Sequence, residues 1–275
     1  MSKGSLKFAL SPCPNDVFIV SGILLNKVPT SLNWNFTFED IETLNNWALE
    51  GTFDLIKCSF GVWGLIYQRY LLLPVGAALG FGVGPVLVGR ERFSKSDFPK
   101  LKVGLPGEHT TAHYLFKFYY QGEIKKLFLR YDKIIPALLN GEIDMGVLIH
   151  EGRFVYQEKG LVKIEDLGEY WEKHTQAPLP LGGFFLKREL AHLGESIVRD
   201  LRASLDWAWD HFDETIPILK KYATELETDV IESHVKTFVT RFTKDLFNEE
   251  GLKGLQNFLK VLEINKEVKD LLWRG

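Results

Sequence analysis

The sequence predicts an α/β protein of two similar lobes joined by two crossover strands, followed by a helical C-terminal tail. Three observations carry this. Strand-like and helix-like stretches alternate through the first half, the units of the first lobe recur in the second, and beyond residue 196 the apolar residues take helical spacing.

The elements follow in order. "LKFAL" (6–10) is a short apolar run, as a buried strand requires. Residues 16–26 read as a helix with Asn15 as its cap. "NFTFED" (35–40) alternates with period two and reads as a second strand. "ETLNNWALEG" (42–51) is a short helix ended by Gly51, and "FDLIKCSF" (53–60) is a third strand. This βαβαβ order predicts a mainly parallel sheet with right-handed crossovers. It then repeats: "LKVGL" (101–105), a loop and Thr-capped helix in "PGEHTTAHYLFKFYYQG" (106–122), and the strand "KLFLRYD" (126–132). A helix, a glycine stop and a strand follow in "KIIPALLNGEIDMGVLIHE" (133–151). Both units carry G-x-x-D, at Gly51/Asp54 and Gly141/Asp144.

"GPVLVGRER" (84–92) and "GGFFLKREL" (182–190) match at glycine, apolar triplet, Arg and Glu. They read as paired crossover strands, one leaving the first lobe and one returning. The expected boundaries are 1–90 plus 182–275 for a large lobe, with 91–181 inserted as the smaller one. In the tail, "SIVRDLRASLDWAWDHF" places Ile197, Leu201, Leu205 and Ala208 or Trp209 on one face, which would pack on the first lobe.

Composition narrows the function. A chain of 275 residues with 45% hydrophobic and 25% charged residues is ordinary globular protein, and the net charge of −3 argues for neither nucleic acid nor an anionic membrane as partner. No window approaches the ~20 apolar residues of a membrane span. "MSKGSLKFAL" enters a strand without a secretory apolar region, so a cytoplasmic protein is expected, with Cys13 and Cys58 as thiols. There is no phosphate-binding G-x-x-x-x-G-K-[ST] loop, no G-x-S-x-G elbow and no paired-cysteine zinc pattern. His109 and His113 are four apart but lack the carboxylate of a metalloprotease, so no metal site is expected.

Two open α/β lobes create a cleft, and ligands of such sheets bind beyond the C-terminal strand ends, where helix N-termini also point. That rule selects residues 11–16, Asp40, residues 57–60, residues 108–111, Asp132 and residues 150–153. In "SPCPND" (11–16), two prolines stiffen the loop, and Asn15 or Asp16 can cap the helix. Cys13 is either an activated thiolate or, with no base beside it in sequence, a buried structural thiol. Thr110 and Thr111 start a helix and are either an ordinary cap or part of an anion site. Lys57 and Ser59 share one strand face, where Lys57 could pair with a carboxylate and Ser59 donate a hydrogen bond, while Cys58 takes the other face. His150 ends an apolar strand at the cleft and is the best-placed histidine for proton transfer; its plainer reading is a strand-end hydrogen bond. His174, His192, His211 and His234 are assigned to solvent-facing helices or loops.

"SPCPND" followed by Phe18, "EDIETLN" (39–45), "WALEG" (47–51), "GVGPVLV" (82–88), "PGEHTTAH" (106–113), "RYDKI" (130–134), "IHEGRF" (149–154) and "PLPLGG" (178–183) together resemble the 1,4-dihydroxy-6-naphthoate synthase family. One departure is Val17, where that family usually has Thr. The resemblance implies a two-lobed periplasmic-binding-protein-like (type II) fold in a cytoplasmic enzyme of the futalosine route to menaquinone. It implies a carbon–carbon lyase that converts cyclic dehypoxanthinyl futalosine to 1,4-dihydroxy-6-naphthoate without metal or organic cofactor. His150 would be the base; Lys57, Cys58, Ser59, Thr110 and Thr111 match the family's substrate-contact segments, and Asn15 is added as a cleft residue. The expected partner is a small molecule carrying a carboxylate. Two alternatives remain open: a non-catalytic carboxylate-binding protein of the same fold, and the chorismate dehydratase of the same pathway.

Overall fold

The computed structural model describes residues 4–223 and 227–275, and two twisted sheets organise them. In chain order the strands are β1 (Ser5–Leu10), β2 (Asn33–Phe38), β3 (Leu55–Ser59), β4 (Tyr70–Leu72), β5 (Ala78–Gly80), β6 (Val86–Gly89), β7 (Lys102–Leu105), β8 (Lys125–Phe128), β9 (Met145–Leu148), β10 (Val162–Asp166) and β11 (Leu179–Lys187). The first sheet runs β2-β1-β3-β11-β4, with β5 also paired to β11. Read from β8, the second runs β8-β7-β9-β6-β10.

These two orders are the same arrangement. β1 is parallel to β2 and β3, and β7 is parallel to β8 and β9. β11 is antiparallel to β3 and β4, and β6 is antiparallel to β9 and β10. The matched segments 84–92 and 182–190 therefore supply equivalent strands. One leaves the first lobe and one returns to it: β6 lies in the second sheet and β11 in the first. Each crosses between lobes and fills the slot beside the third parallel strand, so the lobes are tied twice.

Local chemistry sets the helix starts. The first helix is Pro14–Leu24, not 16–26, and Asn15 is not its cap. Pro14 takes the first helical position, where a missing N–H costs nothing, and Cys13 becomes the N-cap without a side-chain bond. The side chains of Asn15 and Asp16 are thereby released toward the cleft. By contrast, Asp40 caps the helix Ile41–Glu50, accepting from the backbone N–H of Glu42 and Thr43, and Gly51 ends it at φ 77°, as left-handed backbone demands.

The C-terminal helices complete the first lobe. The helix Gly194–Asp210 buries Ile197, Leu201, Leu205 and Ala208, whereas Trp209 stays 42% exposed. This stripe packs in one core with Phe8, Phe18 and Phe184. Each such aromatic contributes roughly 1.5–3 kcal/mol by burial. Further on, the helix Thr228–Phe238 buries Ile231, His234, Val235 and Phe238. The assignment of His234 to solvent is overturned: it lies in the apolar stripe of an amphipathic helix.

The lobes meet at Gly61. A Cβ there would lie 2.5 Å from the carbonyl oxygen of His109 and 2.7 Å from the carbonyl carbon of Thr110, both across the cleft. Gly61→Ala should therefore prop the lobes apart and cost about 1–3 kcal/mol, or several degrees of melting temperature. Calorimetry and small-angle scattering check this; unchanged melting and an unchanged radius of gyration would refute the tight approach.

Candidate active site

A cavity lies between the lobes, beyond the C-terminal ends of β1, β3 and β9 and at the start of the helix Thr111–Tyr119. It is lined from the first lobe by Ser11, Asn15, Asp16, Lys57 and Ser59, and from the second by Thr110, Thr111 and His150. Ile41, Val83, Ile149, Leu181 and Phe238 give it an apolar wall. The cavity thus lies at the strand ends where ligands of open α/β sheets bind.

Asp16 is the polar centre of the first-lobe wall. Its carboxylate accepts from Lys57 Nζ at 2.7 Å, Asn15 Nδ2 at 2.8 Å and Ser11 Oγ at 2.6 Å. Both members of the Lys57–Asp16 ion pair are nearly fully buried. Asn15 Oδ1 in turn accepts from His234 Nε2 at 2.9 Å. One network therefore joins the first βα loop, β3 and a helix of the tail.

His150 faces this network from the end of β9. Its backbone is left-handed (φ 51°), a conformation that costs a non-glycine residue about 1–3 kcal/mol. Its ring reaches across to the first lobe, where Nδ1 lies 3.2 Å from Cys13 Sγ. Tyr131 meets the ring edge-on at 4.8 Å between centroids, and His234 lies parallel at 6.2 Å. Burial pushes the His150 pKa below the ordinary imidazole value, despite the opposing pull of Glu151 and Asp16, so the ring is neutral near pH 7. Cys13 does have a basic partner, one that lies 137 positions away. Yet burial, reinforced by the Asp16 charge, pushes its thiol far up, which opposes a thiolate nucleophile.

The remaining expected residues divide. Ser59 is held by Asn45, which donates to its Oγ at 3.2 Å and accepts from its N–H at 2.9 Å. Thr110 is the helix cap, accepting from the His113 N–H and donating to the Gly107 carbonyl. Thr111 is an interlobe strut: its hydroxyl donates to the Leu181 carbonyl at 2.6 Å and accepts from the Gly61 N–H at 3.2 Å. Glu42 makes a second bridge, accepting from the His109 N–H at 3.0 Å. Cys58 is not brought to the cavity. It is fully buried in the core on the opposite face of β3, where desolvation pushes its thiol well up. Asp132 pairs with Arg130 and Lys133 and lines no part of the cavity.

Sequence reasoning missed Asn45, Tyr131 and His234. His234 was detectable: Ile231, His234, Val235 and Phe238 have the spacing of a buried helix face. The roles of Asn45 and Tyr131 depend on contacts that no local pattern announces.

Comparisons with known proteins agree along more than nine-tenths of the chain. A family model described as menaquinone biosynthesis matches residues 6–263. A 1,4-dihydroxy-6-naphthoate synthase of Thermus thermophilus is 41% identical over 255 residues, covering 91% of each chain. Its namesake from Streptomyces coelicolor is 36% identical over 267 residues, covering 94% of this chain and 93% of that one. A crystal structure of an Archaeoglobus fulgidus protein superposes with a TM-score of 0.89 at 30% identity, over 94% of this chain and 97% of the other. The alkanesulfonate-binding protein of Xanthomonas axonopodis pv. citri, bound to MOPS, reaches a TM-score of 0.71 at 14% identity with full coverage of both chains. That last likeness establishes the periplasmic-binding-protein-like fold and nothing further.

Two outcomes are expected. Lys57→Met strands a buried carboxylate and should cost about 3–5 kcal/mol in denaturant unfolding, with much of it restored by adding Asp16→Asn. If the double variant is no more stable than the single one, the pair is not what Lys57 is for. Burial also depresses the pKa of His113, His150 and His234. Unfolded histidines titrate near 6.5, so below about that pH the unfolded chain binds more protons than the folded one. Stability should therefore fall as pH drops from 7.5 to 5.5, a trend that a flat melting temperature would contradict. Glu42 and Glu172, raised by burial, act in the opposite sense at lower pH.

Proposed function

The chain belongs to the menaquinone biosynthesis family as a lyase forming 1,4-dihydroxy-6-naphthoate, and we propose that His150 is the general base that opens its substrate, cyclic dehypoxanthinyl futalosine. The observation that carries this is the His150–Cys13 contact: a neutral imidazole from one lobe held against the other, at the wall of the cavity. This role requires the tautomer in which Nδ1–H donates to Sγ, so that Nε2 keeps the lone pair a base needs. The base then abstracts a proton from the sugar-derived part of the spirocyclic substrate. The ensuing bond breakage expels a small carbon fragment, and aromatisation of the naphthalene diol drives the reaction. Closure excludes water and brings His150 to its partner in the same movement.

The substrate carboxylate is better received by the helix Thr111–Tyr119 than by Lys57. Lys57 Nζ is already committed to Asp16 at 2.7 Å. The two threonine hydroxyls hold the helix start and the lobes, which leaves backbone N–H groups of the first turn to meet an anion. A cytoplasmic location fits the two free cysteines, Cys13 and Cys58.

His150→Gln should lower kcat by roughly 10²–10⁴-fold while leaving substrate binding within a few-fold of wild type. Full turnover by this variant would eliminate His150 as the base, and a wild-type protein that binds substrate without releasing product would favour the pure binding reading. Because burial lowers the pKa of His150, the acid limb of kcat/KM should have its midpoint below 6.5. Cys13→Ser keeps a hydrogen-bonding group beside His150 and should slow turnover only about tenfold or less; its complete inactivity would revive the thiolate nucleophile.

A further inference from the structure

We propose that His234 is a substrate-contacting residue whose Nδ1 accepts a hydrogen bond from a hydroxyl group of the bound ligand. The inference deepens the preceding reading and rests on it. Two side chains fix the direction of the bonds. Asp16 is an ion-paired carboxylate with no proton to give, so Asn15 must present its amide N–H₂ to it, and does so at 2.8 Å. Asn15 Oδ1 then points the other way and can only accept. The nitrogen 2.9 Å from it, His234 Nε2, must therefore carry the proton.

The ring is neutral, because full burial holds its pKa well below the ordinary value and nearby His150 adds to that. A neutral imidazole with a protonated Nε2 has a lone pair on Nδ1. That Nδ1 is buried and has no hydrogen-bond partner, although the residue lines the cavity. Phe154 and Phe238, which pack on the ring, have no donors to offer. Buried polar atoms in folded proteins are nearly always partnered. The cavity is where the missing donor can arrive, and a ligand hydroxyl has the right polarity. A carboxylate, having only lone pairs, does not.

Three variants separate this role from a structural one. His234→Gln retains an amide N–H near the Nε2 position, preserving the bond to Asn15, but removes the Nδ1 acceptor. His234→Asn does the converse. His234→Phe removes both. With cyclic dehypoxanthinyl futalosine as substrate, Gln should raise KM about tenfold, the worth of one hydrogen bond, at near-wild-type melting temperature. Asn should keep KM within about threefold and lower the melting temperature, and Phe should show both losses. In ¹⁵N-histidine spectra of the free protein, His234 should be the Nε2–H tautomer. Wild-type KM in the Gln variant, or an Nδ1–H tautomer, would overturn the proposal while leaving the reaction intact. Absence of product from the wild-type enzyme would instead overturn the functional reading, and the assigned ligand with it.

Discussion

The buried carboxylate of Asp16 is the constraint on which the site depends. Removing a charge from water is costly unless donors replace the water, and here Lys57, Asn15 and Ser11 do so. Satisfying Asp16 orders the first βα loop, anchors the Lys57 head and orients Asn15. Asn15 then sets the proton on His234. The rigid prolines of the loop and the early helix start at Pro14 serve this arrangement, for they place residues 15 and 16 side by side in the first turn.

The second lobe brings what the first lacks. His150 and the start of the helix Thr111–Tyr119 reach the cavity from the opposite wall, and contacts across the cleft hold them there: Cys13 with His150, Gly61 with Thr111, Glu42 with His109. The left-handed backbone at His150 stores strain that the surrounding contacts must offset. Such an arrangement suits an enzyme whose catalytic set is complete only when the lobes are together. The fold shared with sulfonate-binding proteins supplies the cleft, and His150 is a side chain placed at its edge.

Much of the architecture was legible in the sequence. Apolar runs and glycine stops marked the strands and helices of both lobes, and the paired motifs exposed the repeat that the identical strand orders display. What failed did so for identifiable reasons. Asn15 looked like a cap because it precedes an apolar run, but Pro14 suits the first helical position better. His234 looked solvent-facing because its type is polar, although its spacing said otherwise.

The sequence by itself determined the two-lobed α/β class, the family, and the strand ends at which the cavity lies. These follow from periodicity and from local motifs, which act over a few residues. The tertiary structure decided which side chains work together. Cys13 and His150 are 137 positions apart, and Asn15 and His234 are 219 apart. Whether a histidine is neutral, which of its nitrogens carries a proton, and whether a thiol faces a base depend on burial and on partners delivered by folding. No local pattern carries that information, because the electrostatic environment of a buried group is a property of the assembled chain.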